Sequence, residues 1–225
     1  MNLAVIFDMD GVLIDSQPLH YELDVDVLRA CGYPAELATV VPYTGLSNPD
    51  RWAKYKEDLN LSETVDRLVE MAEAAMRDVF SRADLKPIDG IPTLIDGIKA
   101  MGIKCGVASS SSHELIQLIL GRIGILDKFD MIVSGEDVQH GKPAPDVYLK
   151  AAEKAGISPQ MCIAIEDSSA GILAAKNAGF VCIAYKNPST LGQDFTHANY
   201  VVTKYDDCFP IIQTLVLRAA MGSLQ

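Results

Sequence analysis

Short apolar runs recur along the chain and alternate with segments whose apolar residues follow a helical period. The first run, 3–7, is almost continuous, which is typical of a strand buried on both faces. Five similar runs follow, and they are found at residues 103–108, 131–133, 162–165, 180–185 and 200–202. Because strand and helix patterns alternate, the sequence predicts an α/β fold with a mostly parallel, doubly wound sheet.

Proline and glycine delimit the helices that are predicted between these strands. Pro92 suits the start of a helix whose end is marked by Gly102. The helix-promoting segments 114–123, 145–155 and 170–178 are each followed directly by glycine, which is common just past a helix end. A last helix is predicted from about residue 207.

The segment 17–86 interrupts the alternation, because it has helical periodicity and no buried strand pattern. Pro18 is predicted to open one helix and Ser62 to cap another. We therefore predict a Rossmann-like core domain at 1–16 and 87–225, with an all-helical cap domain inserted at 17–86. A lid is a natural role for an insertion at the carboxyl edge of a parallel sheet, where ligands bind.

Composition and charge argue against some classes of binding partner. The net charge of −11, without any run of basic residues, argues against nucleic acid. No signal peptide or membrane span is expected, and the five cysteines lack CxxC spacing. We expect reduced thiols, a cytoplasmic location, no membrane partner, and a monomer or weak homo-oligomer.

Acidic residues stand at the end of the first predicted strand. Asp8 and Asp10, followed by Gly11, are two carboxylates that would repel each other unless a cation held them. Oxygen ligands favour Mg²⁺. A polar strand end with a helix-capping aspartate explains the same residues, and for this pattern alone it is the commoner explanation.

Three segments that follow later strands carry polar residues whose chemistry complements this acid pair. Ser109 begins a run of four serines that suits either a phosphate site or an ordinary helix cap. Lys142, between Gly141 and Pro143, is either a phosphate-neutralising cation or a solvated loop residue. Glu166 and Asp167 would complete a metal shell or merely favour a helix start. In a parallel sheet all these strand ends meet at one edge, so their combination favours a phosphoryl-transfer site.

The four segments DMDGVLIDS, VASSS, GKPAPDVY and IEDSSAGI, in this order, resemble the haloacid dehalogenase-like superfamily. The resemblance covers essentially the whole chain. It is greatest to the branch of beta-phosphoglucomutases and phosphatases of sugar phosphates and other small metabolites.

This resemblance implies roles for individual residues. Asp8 would attack phosphorus and form an aspartyl-phosphate, while Asp10 would protonate the leaving oxygen and later accept a proton. Ser109 would hydrogen-bond the phosphoryl group, and Lys142 would neutralise its oxygens. Mg²⁺ would be bound by four residues: Asp8, Asp10, Glu166 and Asp167.

Substrate contacts are implied for the cap and for the serine run. The expected contact residues are His20, Gly45, Ser47, Ser110 and Ser111. Where the mutases carry an arginine for a second phosphate, this chain has Asn48, and a counterpart of their cap lysine is not evident. The candidate replacements for these cations are Arg51, Lys54, Arg77 and Arg82.

The missing cations favour a phosphatase, which needs one phosphate site, over a mutase, which must hold a bisphosphate. Losing a cation that holds the second phosphate costs binding free energy, about 1.5–3 kcal/mol for each charge-assisted hydrogen bond. A beta-phosphoglucomutase-type mutase remains the alternative, and a non-catalytic protein that binds a phosphorylated metabolite is a third. The sequence leaves the substrate open among hexose phosphates, pentose phosphates, phosphoglycolate and nucleotide monophosphates.

Overall fold

Six parallel strands form one sheet in the computed structural model, which describes residues 2–43, 48–190 and 192–220. The strands are β1 Ala4–Phe7, β2 Lys104–Ala108, β3 Met131–Val133, β4 Cys162–Glu166, β5 Val181–Tyr185 and β6 Tyr200–Val202. All six predicted runs are therefore confirmed as strands, with their ends shifted by one residue at most. Their order in the sheet is β3-β2-β1-β4-β5-β6.

Several helices of the described residues end close to the glycines from which their ends were predicted. Their bounds are α1 Gln17–Ala30, α2 Leu37–Val40, α3 Asn48–Leu59, α4 Val65–Arg82, α5 Ile91–Ala100, α6 His113–Arg122, α7 Asp146–Ala155, α8 Ser169–Asn177 and α9 Cys208–Ala220. Gly156, for example, ends α7 in the left-handed conformation with φ 66°. Within the described ranges, none of these helices combines the length and apolar character needed to cross a bilayer.

Both faces of the sheet are covered by helices. Ala4 and Ile6 of β1 pack into a buried cluster with Val147 of α7 and Ile172 of α8. Alternate residues of a strand point to the opposite face, where Val5 and Phe7 are also fully buried. Helix α5 packs on β2 and contacts α9. The predicted doubly wound α/β fold is thus confirmed.

The chain reverses its winding direction next to β1. After β1 it builds β2 and β3 on one side of the sheet, and it then returns to β4 on the other side. The carboxyl ends of β1 and β4 therefore lie at a topological switch point, where open parallel sheets bind ligands.

Contacts divide the chain into two units. The core unit consists of Met1–Asp15 and Leu85–Gln225, and the helical unit consists of Ser16–Asp84. Ile14 forms an antiparallel bridge with Pro87, and the Ile88 amide donates to the Leu13 carbonyl at 2.9 Å. The chain consequently leaves the core unit and re-enters it at neighbouring positions.

The helical unit has its own hydrophobic centre, in which α4 packs against α1 and α3. One detail of the prediction here is wrong, and one helix of the predicted all-helical insertion was not identified individually. Thr64 caps α4 by accepting a hydrogen bond from the Arg67 amide, so Ser62 is not the cap. Helix α3 was not predicted, because Trp52 and Tyr55 are its only buried residues and they leave too little apolar periodicity.

Candidate active site

Asp8 stands at the carboxyl end of β1, beside β4. Its amide donates to the Ile165 carbonyl at 2.9 Å, which continues the pairing of the two strands. The residue is only 7% exposed, and its Oδ1 accepts a hydrogen bond from Lys142 Nζ at 2.8 Å. A central strand therefore holds this carboxylate rigidly, with a cation on one side.

Gly11 makes room for a second carboxylate. Its φ of +76° lies in the left-handed region, and its amide donates to the Ile14 carbonyl at 2.8 Å to close a tight turn. A Cβ atom at this position would overlap the carboxylate of Asp167. The glycine after the acid pair thus serves both the turn and the close approach of Asp167.

Lys142 connects three segments of the core unit. Its Nζ donates to Asp8 Oδ1 at 2.8 Å, to Glu166 Oε1 at 2.6 Å and to the Ala108 carbonyl at 3.1 Å. These bonds use all three protons of the ammonium group. Lys142 is therefore a buried, fully bonded cation, and the explanation of it as a solvated loop residue does not fit the structure.

Glu166 is surrounded by donors and has no exposed surface. Besides Lys142, Tyr148 donates to Oε1 at 2.7 Å, while Oε2 accepts from the Asp167 amide and from the amide and hydroxyl of Ser168. A Cβ at Gly171 would overlap this carboxylate. Glu166 is thus well placed to orient Lys142.

The buried carboxylates influence each other electrostatically. Burial raises the pKa of Asp8 to about 7, although the Lys142 ammonium opposes the increase. Burial, together with the neighbouring Glu166, also raises the pKa of Asp167 well above its usual range. Burial alone would lower the pKa of Lys142, but the two carboxylates outweigh it and raise that pKa.

An oxygen-rich cluster lies at this point of the fold. Asp8, Glu166 and Asp167 each offer a carboxylate oxygen, and these oxygens lie within 4.8 Å of one another. When all three carboxyl groups are ionised, Lys142 compensates only one of the three negative charges. Hard oxygen ligands with an excess of two negative charges fit a divalent cation such as Mg²⁺.

The serine run joins this site from β2. The Ser109 amide donates to the Val133 carbonyl at 3.1 Å, and Ser109 Oγ accepts from the Ser111 amide at 3.1 Å. The Ser111 hydroxyl donates to Asp10 Oδ2 at 3.2 Å. Ser110 is exposed, whereas Ser112 caps α6. The capping explanation therefore applies to Ser112, and a phosphate site at Ser109, Ser110 and Ser111 stays a prediction.

Sequence reasoning missed three residues that contact the site. Tyr148 bonds Glu166, Thr190 donates to Asp167 Oδ2 at 2.7 Å, and Asn187 donates to the Gly11 carbonyl at 2.9 Å. Tyr148 stands within the segment GKPAPDVY, so its position near Lys142 could have drawn attention to it. The loop after β5 carries no comparable pattern.

The predicted substrate residues of the insertion belong to the helical unit, Ser16–Asp84. His20 lies in the helical unit, with its ring centre 5.6 Å from that of Phe80. Gly45 and Ser47 lie outside the described residues. Arg51 Nε lies 2.9 Å from Asp24 Oδ2 within the helical unit.

Comparison with known proteins agrees with this architecture. The family model of haloacid dehalogenase-like hydrolases matches residues 5–185. Hexitol phosphatase B of Escherichia coli K12 is 32% identical over 193 residues, with 83% of this chain and 84% of the relative covered. The phosphorylated carbohydrates phosphatase of Thermotoga maritima is 31% identical over 176 residues, with 78% and 81% covered.

A solved structure supports the same assignment. The crystal structure of beta-phosphoglucomutase from Clostridium difficile superposes with a TM-score of 0.75 at 29% identity, and the match covers 95% of this chain and 96% of that one. The resemblance inferred from the four segments is therefore confirmed, and the chain belongs to the haloacid dehalogenase-like hydrolase family.

Proposed function

We propose that the protein is a magnesium-dependent phosphatase that hydrolyses a small phosphorylated metabolite, with a sugar phosphate as the expected substrate. The observation that carries this proposal is the pairing of Asp8 with Lys142, next to the buried carboxylate of Asp167, at the switch point of the sheet. The names of the two curated relatives, which specify hexitol and phosphorylated-carbohydrate phosphatases, support it.

Asp8 is the proposed nucleophile. One carboxylate oxygen forms a bond to phosphorus while the ester bond between phosphorus and the leaving oxygen breaks. The product of this step is an aspartyl-phosphate. The strand that holds Asp8 and the three bonds of Lys142 favour one fixed direction of attack.

Asp10 is the proposed general acid and base. It gives its proton to the leaving alkoxide in the first step, and it then takes a proton from the water that attacks the aspartyl-phosphate. Inorganic phosphate is released and Asp8 is regenerated. The hydrogen bond from Ser111 supports this role, because it restricts the orientation of the Asp10 carboxylate.

Other residues neutralise and orient the phosphoryl group. Lys142 neutralises phosphoryl oxygens, and the hydroxyl of Ser109, together with Ser110 and Ser111, provides hydrogen-bonding groups at the end of β2. Asp8, Asp167 and the Asp10 carbonyl would hold Mg²⁺, with Glu166 adjacent. When bound, the ion supplies positive charge that offsets the repulsion between the phosphate and the carboxylates.

The choice of phosphatase over mutase is supported by contacts of the helical unit. Asn48, which stands where the mutases have an arginine, accepts hydrogen bonds from Arg51 Nη2 at 3.1 Å and from Trp52 Nε1 at 3.0 Å. Arg51, a candidate replacement cation, is paired with the buried Asp24. The pairing of Arg51 with Asp24 supports a substrate with one phosphate, because it engages one of the four candidate replacement cations. We propose that the helical unit selects it, with His20, Gly45 and Ser47 as candidate contacts.

The decisive experiment is a Mg²⁺-supplemented screen of phosphate release from a panel of phosphorylated metabolites, with a beta-glucose 1-phosphate mutase assay beside it. Asp8→Asn should reduce turnover by more than about 10³-fold, as loss of a nucleophile does. Asp127→Asn, the same change at an exposed turn, should leave turnover unchanged.

Two outcomes would contradict the proposal. Faster isomerisation of beta-glucose 1-phosphate than phosphate release would identify a mutase, the activity named for the structural relative from Clostridium difficile. Binding of phosphorylated metabolites without hydrolysis of any of them would favour the non-catalytic alternative.

A further inference from the structure

The loop that follows β5 reaches the acidic cluster although it contributes no carboxylate to it. Thr190 Oγ1 donates a hydrogen bond to Asp167 Oδ2 at 2.7 Å. Asp167 is 4% exposed, so this hydroxyl replaces the water that would otherwise solvate the oxygen. Because the contact is short and buried, it restricts rotation of the carboxylate.

A turn built on Asn187 holds Thr190 in place. The side chain of Asn187 accepts from the Ser189 amide at 2.8 Å, and its carbonyl accepts from the Thr190 amide at 3.2 Å. Asn187 is itself 3% exposed. The hydrogen bonds of this turn therefore fix the position of the Thr190 hydroxyl.

The same turn is attached to the loop that carries Asp8. Asn187 Nδ2 donates to the Gly11 carbonyl at 2.9 Å, and the Ser189 hydroxyl donates to Asp15 Oδ2 at 2.6 Å. Gly11 is the residue against which the Asp167 carboxylate lies. Gly11 and Thr190 consequently both lie against Asp167 Oδ2.

We propose that Thr190 is a positioning residue of the metal site, whose hydroxyl fixes the Asp167 carboxylate in the orientation that binds Mg²⁺. This inference rests on the proposed function in so far as that assigns Mg²⁺ to the cluster. Without the hydrogen bond, Asp167 would be free to rotate away from the neighbouring carboxylates Asp8 and Glu166. Groups that orient a metal ligand in this way typically contribute 10–100-fold to metal affinity.

The test is calorimetric titration of the full-length protein with Mg²⁺. Thr190→Val removes the hydroxyl and preserves the shape of the side chain, and we expect it to weaken Mg²⁺ binding about 10–100-fold. Thr190→Ser retains a hydroxyl and should bind Mg²⁺ within about threefold of the wild type, since only a methyl group is lost. Thermal unfolding of all three proteins in chelator separates a loss of stability from a loss of Mg²⁺ affinity, because Thr190→Val also leaves the buried Asp167 oxygen without its donor.

Thr196→Val is a matched control. The Thr196 hydroxyl also donates to an aspartate, Asp194, at 3.1 Å, but that aspartate is exposed and lies outside the acidic cluster. We expect its Mg²⁺ affinity to equal that of the wild type. A comparable loss in both variants would mean that the effect of Thr190→Val is not specific to Asp167.

The inference is overturned if Thr190→Val binds Mg²⁺ within twofold of the wild type, if Thr190→Ser loses as much affinity as Thr190→Val, or if the wild type binds no Mg²⁺. A lower unfolding temperature in chelator with unchanged Mg²⁺ affinity also contradicts it. If the wild type binds Mg²⁺ but hydrolyses no phosphate ester, the proposed function fails, and the affinity ratio alone still decides the role of Thr190.

Discussion

Lys142, the proposed neutraliser of the phosphoryl group, is also a structural part of the site. Its ammonium lies between the buried carboxylates of Asp8 and Glu166, and the ring of Tyr148 is 5.1 Å away. A buried ion pair adds little net stability, but removing one partner is costly because the other charge stays buried. At the scale of single residues, the cation proposed to neutralise the phosphoryl group is therefore also the counterion of the acidic cluster.

Replacing this cation should destabilise the protein in a pH-dependent way. In chelator at pH 8, we expect Lys142→Met to lower the free energy of unfolding by about 3–5 kcal/mol. The loss should be smaller at pH 5. Without the ammonium, the folded-state pKa of Asp8 rises further above its unfolded value, so stability is present at low pH and lost as the pH increases.

Urea denaturation at the two pH values measures this effect. Lys150→Met is the control, because Lys150 pairs with the exposed Glu153 and its loss should leave stability close to the wild type at both pH values. An equal loss at pH 5 and pH 8 would show that packing, rather than uncompensated charge, is responsible.

At the scale of elements, the loop after β3 supports the serine loop after β2. The buried Ser134 donates from its hydroxyl to the Ser111 carbonyl at 2.7 Å. Beside it, Gly135 approaches the Ser110 backbone so closely that an added Cβ would lie 2.7 Å from the Ser110 carbonyl oxygen. Ser111 in turn bonds Asp10, so the two loops together position the proposed general acid.

Gly135→Ala should therefore impair turnover more than folding. The added methyl group displaces the Ser110 backbone, and a displacement of about 1 Å at a catalytic group can lower kcat about 10²-fold. The cost in stability should be about 1–3 kcal/mol, as for other overpacked sites. Steady-state kinetics and urea denaturation measure the two effects separately.

Gly121→Ala is the comparison for this change. Gly121 lies in α6, and an added Cβ meets nothing within 4 Å, so we expect unchanged kcat and slightly higher stability. A wild-type kcat in Gly135→Ala would mean that the β3 loop does not position the serine loop.

At the scale of the whole molecule, the two units have separate hydrophobic centres. The cluster that contains Trp52 and Leu68 belongs to the helical unit, and the cluster that contains Ile6 and Ile172 belongs to the core unit. The bridge between Ile14 and Pro87 joins the two ends of the core unit directly. Insertions with adjacent ends are tolerated because the host needs no rearrangement.

Replacing residues 16–84 by a short Gly–Ser linker should leave a folded core. We expect this variant to retain its α/β circular dichroism spectrum and to bind Mg²⁺, because the acidic cluster lies within the core unit. It should hydrolyse an aryl phosphate but discriminate poorly among the metabolites of the panel, if the helical unit selects the substrate. An unfolded variant would contradict the prediction that the core unit folds by itself. A variant with wild-type selectivity would contradict the proposal that the helical unit selects the substrate.

The fold was more predictable than the contacts of the site. Strand positions follow from continuous apolar runs such as 162–165, and helix ends follow from glycines such as Gly156, because both are properties of local sequence. Helix α3 could not be predicted in this way, since its stability comes from burying Trp52 and Tyr55 against other helices. The roles of the site residues stay predictions until they are tested.

The sequence by itself determined the alternation of strands and helices and the identity of the acids, hydroxyls and lysine that follow the strands, because apolar periodicity and strand-end chemistry are local. Only the tertiary structure decided which of these groups meet. It joined Glu166 to Lys142 and Tyr148, Arg51 to Asp24, and Thr190 to Asp167. The physical reason is that a buried polar side chain takes its partner from whichever segment folding brings beside it.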